Sequence, residues 1–192
     1  LGFEQFGSSH DCTGAPLMPD PKTIKVRQLS FFGRVAGIFG SGDQPANGKQ
    51  LDAWLVDTLK RELKLPALER DEDGDLWITY GSAVVFMRTS EEDGPRIHIF
   101  SPLLADFSMR PEVYEALNAI NAQVPLAKAF VDTDSRQIIL AADIFAIGEL
   151  SPDYLMATIE LIAEIADHYD TRLQKRFGGK TMLDDDEDEF DA

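Results

Sequence analysis

The chain has 192 residues, 44% of them apolar, which suits one medium domain with tails. Its formal charge of −16 argues against a nucleic-acid partner, because neutralising phosphates requires a basic surface. One cysteine, Cys12, permits no internal disulfide, and no run approaches the roughly 18 apolar residues of a membrane span, so the expected location is cytoplasmic.

Residues 1–23, with Gly7-Ser8-Ser9 and Pro16, Pro19 and Pro21 among polar neighbours, read as an extended arm. The stretch 22–39 holds Lys22, Lys25, Arg27 and Arg34 and no acid, so it carries +4 and the remainder sums to −20. Leu29, Phe32, Val35 and Phe39 recur there at helical spacing. Such a segment suits a partner's groove or a membrane surface, or an arm helix lying on its own domain or on a second subunit. Gly40 to Gly48 is a linker, and Asn47 is placed to cap the next helix.

That helix is predicted from about Lys49 to Lys64, with Leu51, Trp54, Leu55 and Leu59 on one stripe and Pro66 ending it. The acids Glu69, Asp71 and Asp73, with Gly74, imitate the opening of a calcium loop. The twelfth position is Tyr80, where a bidentate Glu is required, so a hairpin turn is the better reading. Three strands come next: Leu76 to Tyr80, Ala83 to Arg88 and Arg96 to Ser101, separated by Gly81-Ser82 and by Glu91 to Pro95. The middle one is nearly all apolar, which predicts that Val85 and Phe86 sit in the most buried strand. His98, alternating with Ile97 and Ile99, belongs on the more exposed face.

After Pro102, Leu103 to Phe107 lead into a second helix, about Pro111 to Gln123, with Val113, Leu117 and Ile120 on one face. A hairpin comes after it, Ala127 to Asp132 and Gln137 to Ile144, with Phe130, Ile138, Leu140 and Ala142 as inward candidates. The last helix has Ser151 as N-cap and Pro152 at its first position, runs to Phe177, and stops at Gly178-Gly179. Its apolar residues make two stripes. Leu155, Ile159, Ile162, Ala166, Tyr169, Leu173 and Phe177 suit a sheet. Tyr154, Ala157, Leu161, Ile165 and His168 are turned by about 110° and are candidates for a subunit interface, a ligand groove or a broader core.

No motif here carries chemistry. Gly178-Gly179-Lys180-Thr181 resembles the end of a phosphate loop, but Gln174 stands where the first glycine is needed, and the run closes a helix instead of opening one. His10, His98 and His168 share no metal-ligand spacing, and Cys12 has no neighbouring cation to activate it. Neither catalytic residues nor a metal or other cofactor is expected.

The runs His98-Ile99-Phe100-Ser101-Pro102-Leu103-Leu104, Leu117-Asn118-Ala119-Ile120-Asn121, Ala129-Phe130-Val131-Asp132 with Ile138-Ile139-Leu140, and Leu150-Ser151-Pro152-Asp153-Tyr154-Leu155 resemble the YbjN family. That family belongs with the type III secretion chaperone-like (CesT-like) peptide-binding proteins, and the resemblance covers about Leu51 to Phe177. It implies an α+β fold, a mostly antiparallel sheet flanked by helices in the order helix–three strands–helix–two strands–helix. It also implies a non-enzymatic homodimer that holds a segment of a client protein. The expected layout is an arm over 1–46, a chaperone-like domain over 47–180 and a disordered acidic tail over 181–192, where Asp184 to Asp191 hold seven acids. The leading expectation is a protein- or peptide-binding module that uses a sheet edge or apolar groove, self-associating through Tyr154, Leu161, Ile165 and His168. The alternative is a membrane-peripheral adaptor that uses residues 22–39.

Overall fold

The computed structural model describes residues 48–92 and 94–183. The basic segment with Leu29, Phe32, Val35 and Phe39, and the acids from Asp184 onward, lie outside the described residues. The elements run α1 (Gly48–Leu63), β1 (Leu76–Tyr80), β2 (Ala83–Ser90), β3 (Arg96–Ala105), α2 (Pro111–Gln123), β4 (Lys128–Asp132), β5 (Gln137–Phe145) and α3 (Pro152–Phe177). This is the order expected from the sequence. All strand pairs are antiparallel, in the spatial order β1-β2-β3-β5-β4.

Each helix buries the stripe its spacing dictates: Leu51, Leu55 and Leu59 on α1; Val113, Leu117 and Ile120 on α2; Leu155, Ile159, Ile162, Ala166, Leu173 and Phe177 on α3. At the start of α3, the Ser151 hydroxyl accepts the Tyr154 N–H at 3.2 Å. At its end Gly178 donates to the Gln174 carbonyl, and Lys180 pairs with Ala105 on β3. These stripes form one buried cluster with Val85, Met87, Ile97, Ile99, Leu140 and Ala142. Each Leu or Ile so buried contributes about 1.5–3 kcal/mol. Val84 and Ala141, of the opposite strand phase, are also buried but stand outside that cluster. The three helices therefore share one face of the sheet.

Three expectations need correcting. The middle of the sheet is β3, not β2, and Phe86 is half-buried on the face without helices, whereas Val85 is fully buried. Second, β3 does not end at Ser101. It runs through Pro102 to Ala105 with a register shift between Pro102 and Leu104, which lets both Leu103 and Leu104 face inward. Third, Phe130 is 38% exposed, and the inward place on β4 belongs to Ala129. The phase of β4 is set by Asn121 of α2, whose side chain grips Ala129 through both backbone groups.

The β1–β2 turn is locked onto α3. Gly81 has φ +57 and Ser82 does not, as in a type II′ hairpin turn. The Ser82 N–H donates to Asp167 Oδ1 at 2.7 Å, and its hydroxyl lies 2.9 Å from the same oxygen and 2.6 Å from Asp170 Oδ2. Asp170 is buried and accepts in addition from the Thr171 N–H and hydroxyl. A Cβ at position 81 would fall 2.1 Å from Asp167 Oδ1. Gly81→Ala is therefore expected to lower the unfolding free energy by about 1–3 kcal/mol, through the left-handed backbone and the broken clamp together. A urea midpoint unchanged from the parent would contradict this account of the turn.

Candidate functional site

The chain turns sharply after α1, where Lys64 has φ +55 and the Leu65 N–H returns to the Lys60 carbonyl. The connection to β1 then runs past the sheet edge and meets it at a single bridge, Arg70 with Leu76. A cavity of about 660 Å³ lies between this connection, β1 and α3. Leu63, Leu65 and Leu68 wall one side, Trp77, Ile78 and Tyr80 the second, and Met156, Ile159 and Ala163 the third. Ile78 has the inward phase of β1 yet is only half-buried, and Tyr80 is 45% exposed, because nothing described fills the space beside them.

Side-chain bonds brace the walls. Arg70 grips Asp52 of α1 with one guanidinium nitrogen at 2.8 and 3.0 Å from the two carboxylate oxygens, and its other terminal nitrogen donates to the Gly74 carbonyl at 2.7 Å. Asp71 Oδ1 accepts the N–H groups of Asp73 and Asp75, closing the turn into β1. The acid run that imitated a calcium loop is thus hairpin-turn chemistry, as expected. Glu69, just before it, lines the cavity, as does Glu160 of α3, and among the described residues no basic one does.

The two sheet edges are treated differently. On β4, Asn121 Nδ2 donates to the Ala129 carbonyl at 2.9 Å, and Asn121 Oδ1 accepts the Ala129 N–H at 2.6 Å. One side chain thereby imitates a neighbouring strand and blocks that edge. On β1, among the described residues, only the Arg70 bridge near Leu76 touches the outer side. Since Tyr80 and Ala83 close the two-residue turn, alternation along the ladder points the Thr79 N–H and C=O away from β2. That edge borders the cavity.

The face that no described helix covers carries a polar–aromatic ladder. Phe86 stacks on Phe100 with centroids 5.3 Å apart, and His98 stacks on Phe100 at 5.2 Å. Arg88 lies over the Phe100 ring, and His98 Nδ1 is 2.9 Å from Asp143 Oδ1. His98 is on the face expected for it, with a hydrogen-bond partner, Asp143, on β5.

The expected interface residues lie elsewhere. Tyr154 is 46% exposed, Leu161 and Ile165 are half-buried, and His168 is exposed, in contact with Arg172 and edge-on to Tyr169. None of the four lines the cavity. At 100° per residue they sit roughly 160° around α3 from Met156, Ile159, Glu160 and Ala163. Sequence reasoning missed the cavity residues Leu65, Tyr80, Met156 and Glu160. A local signal, an apolar side chain just past a helix end, exists for Leu65 alone; Tyr80 ends β1, and Met156 and Glu160 lie within α3, where spacing does not mark them.

Asp75, which opens β1, is 5% exposed, and burial raises its carboxyl above the ordinary 3.8, with Arg88 at 3.4 Å offsetting part of that. A raised value in the folded state contributes stability below 3.8 that is lost as pH rises through the folded value. Asp167 has the opposite sign: the Ser82 N–H and hydroxyl hold it below 3.8, so its contribution is present above that pH and lost beneath it. Asp75→Asn is therefore expected to gain stability relative to the parent as pH rises from 3.8 toward 7, and Asp167→Asn to lose it. Urea midpoints across that range check both signs.

The sequence over residues 49–185 matches the family described as T3SS (YopN, CesT) and YbjN peptide-binding chaperone 1. No curated protein matches the chain. Among solved structures, a chain of the ExsC–ExsE complex is similar at 17% identity and a TM-score of 0.50, covering 65% of this chain and 93% of its own. A chain of the HopA1–SchA chaperone–effector complex aligns at 15% identity and TM-score 0.49, over 62% and 93% of the two chains. A chain of the Yersinia pestis type III secretion chaperone SycH in complex with a stable fragment of YscM2 aligns at 18% identity and TM-score 0.43, over 59% and 94%. The ExsC–ExsE likeness shows a shared fold, in keeping with the element order read from the sequence. The family match spans well over half of the 192 residues, and the chain belongs to the T3SS and YbjN peptide-binding chaperones.

Proposed function

We propose that the protein is a non-enzymatic chaperone that holds an extended segment of a client protein as an added strand on β1. The observation that carries this reading is the position of the cavity, directly beside the sheet edge that, among the described residues, no side chain blocks. An added strand gains main-chain hydrogen bonds at Thr79, and every second side chain points to the helix side, where the cavity receives it. A cavity of about 660 Å³ accommodates several apolar side chains, each contributing about 1.5–3 kcal/mol before the cost of ordering the segment. Hydrogen bonds give sequence-tolerant affinity and the apolar walls give a preference for partly unfolded clients. The homodimer expected across Tyr154, Leu161, Ile165 and His168 is a separate proposal, for α3 presents those residues on the side away from the cavity. The membrane-adaptor alternative draws no support from the family, and among the described residues no helix is long and apolar enough to cross a membrane.

The test is direct binding. A fluorescein-labelled peptide of about twelve residues, with leucines alternating with uncharged polar residues, is titrated with the full chain and with Thr79→Pro. Proline at this position removes an outward N–H without touching the β1–β2 ladder, so the fold is expected to survive. Affinity is expected to fall about tenfold, through one lost hydrogen bond and the ring's intrusion on the edge. Equal binding by both proteins would overturn strand addition at β1.

A further inference from the structure

The charged residues of the cavity point to the class of segment it takes. Glu69 stands on the connection from α1 and Glu160 on α3, so acids sit on two of the three walls. Both are exposed, and neither forms an ion pair among the described residues. The other lining groups are almost all apolar, and among the described residues no lysine, arginine or histidine faces the space. Asp52, Asp75 and Asp143, by contrast, each have a basic partner.

We propose that the client segment is cationic as well as apolar. On the face that meets the cavity, apolar side chains are flanked by lysine or arginine two residues away. The proposal rests on strand addition at β1 and adds the chemistry of the partner. In a strand, residues i, i+2 and i+4 share one face. Apolar side chains at the centre of that face enter the cavity between Ile78, Met156 and Ile159, and the flanking cations reach Glu69 and Glu160. Long basic side chains suit this place because their methylene stems cover apolar surface while the charge stays in water. The chain's charge of −16 adds a long-range pull on a cationic segment, which speeds encounter and weakens with salt. An acidic segment meets repulsion at both carboxylates. Exposed ion pairs are individually weak, and the two together are worth about tenfold in affinity.

Three labelled peptides share two central leucines on one face and differ only in the residues flanking them on that face, lysine, glutamine or glutamate. Anisotropy with the full chain is measured in about 50 and about 300 mM salt. The lysine peptide is expected to bind about tenfold tighter than the glutamine peptide, the glutamate peptide weakest, with the spread shrinking at the higher salt. The paired reversal Glu69→Lys and Glu160→Lys is expected to invert the order of the lysine and glutamate peptides. It should leave the circular dichroism spectrum unchanged, since both side chains are exposed. Equal affinities for the three peptides, or a lysine preference that survives the reversal, overturns the cationic class; if the glutamine peptide still binds and Thr79→Pro still weakens it, strand addition stands. Failure of all three peptides to bind overturns both.

Discussion

The cavity depends on the grip of Asp167 and Asp170 on the Ser82 turn. Close packing is the default for an apolar interior, so a space of about 660 Å³ beside Ile78 and Ile159 persists only if its walls are prevented from meeting. Asp167 lies one helical turn beyond Ala163, the last cavity residue of α3, and Asp170 nearly another turn on. Tying the β1–β2 turn to those carboxylates fixes β1 and α3 together just past the cavity's end. The Arg70–Asp52 pair does the same for the connection from α1. Rigid helix and rigid hairpin, joined at their ends, leave the middle open.

Edge chemistry then decides which side of the sheet is available. An unpaired strand is a template for pairing with any extended chain, wanted or not. Asn121 removes that option on β4 by satisfying the Ala129 N–H and C=O with its own amide. The phase this imposes sends Phe130 outward and Ala129 inward, so one hydrogen-bonded pair explains both the blocked edge and the exposed aromatic. On β1, among the described residues, nothing comparable touches Thr79.

The parts of this architecture that were legible in the sequence are those governed by local periodicity. The stripe Leu155, Ile159, Ile162, Ala166 and Leu173 is buried as its spacing requires, and Ser151 caps the helix it precedes. Strand phase and strand ends were less legible because partners fix them. Pro102 looks like a terminator, yet β3 passes through it, paired with Ile139 of β5, and the register shift falls just after it. Asn121 stood within a recognisable run, but its role rests on Ala129, eight residues away and on another element. The acids after α1 show the same limit. Asp71 and Glu69 are near neighbours of like composition, yet one closes a turn through two N–H bonds and the other faces the cavity. The cavity itself joins two neighbouring stretches, 63–69 and 77–80, to a distant one, 156–163, and no short window on the sequence contains it.

Leaving an edge and an apolar space open together invites self-association, which the same carboxylates oppose. Two copies pairing β1 to β1 about a two-fold axis would bring two sets of Glu69 and Glu160 to one seam, with no basic residue among the described lining of either cavity to balance them. The overall charge of −16 adds repulsion at longer range. A cationic client segment meets neither penalty. It neutralises the carboxylates and fills the apolar walls in one step. The acids thus discriminate twice with one arrangement, disfavouring the chain's own edge and favouring a segment of opposite charge, and specificity of this kind needs both terms.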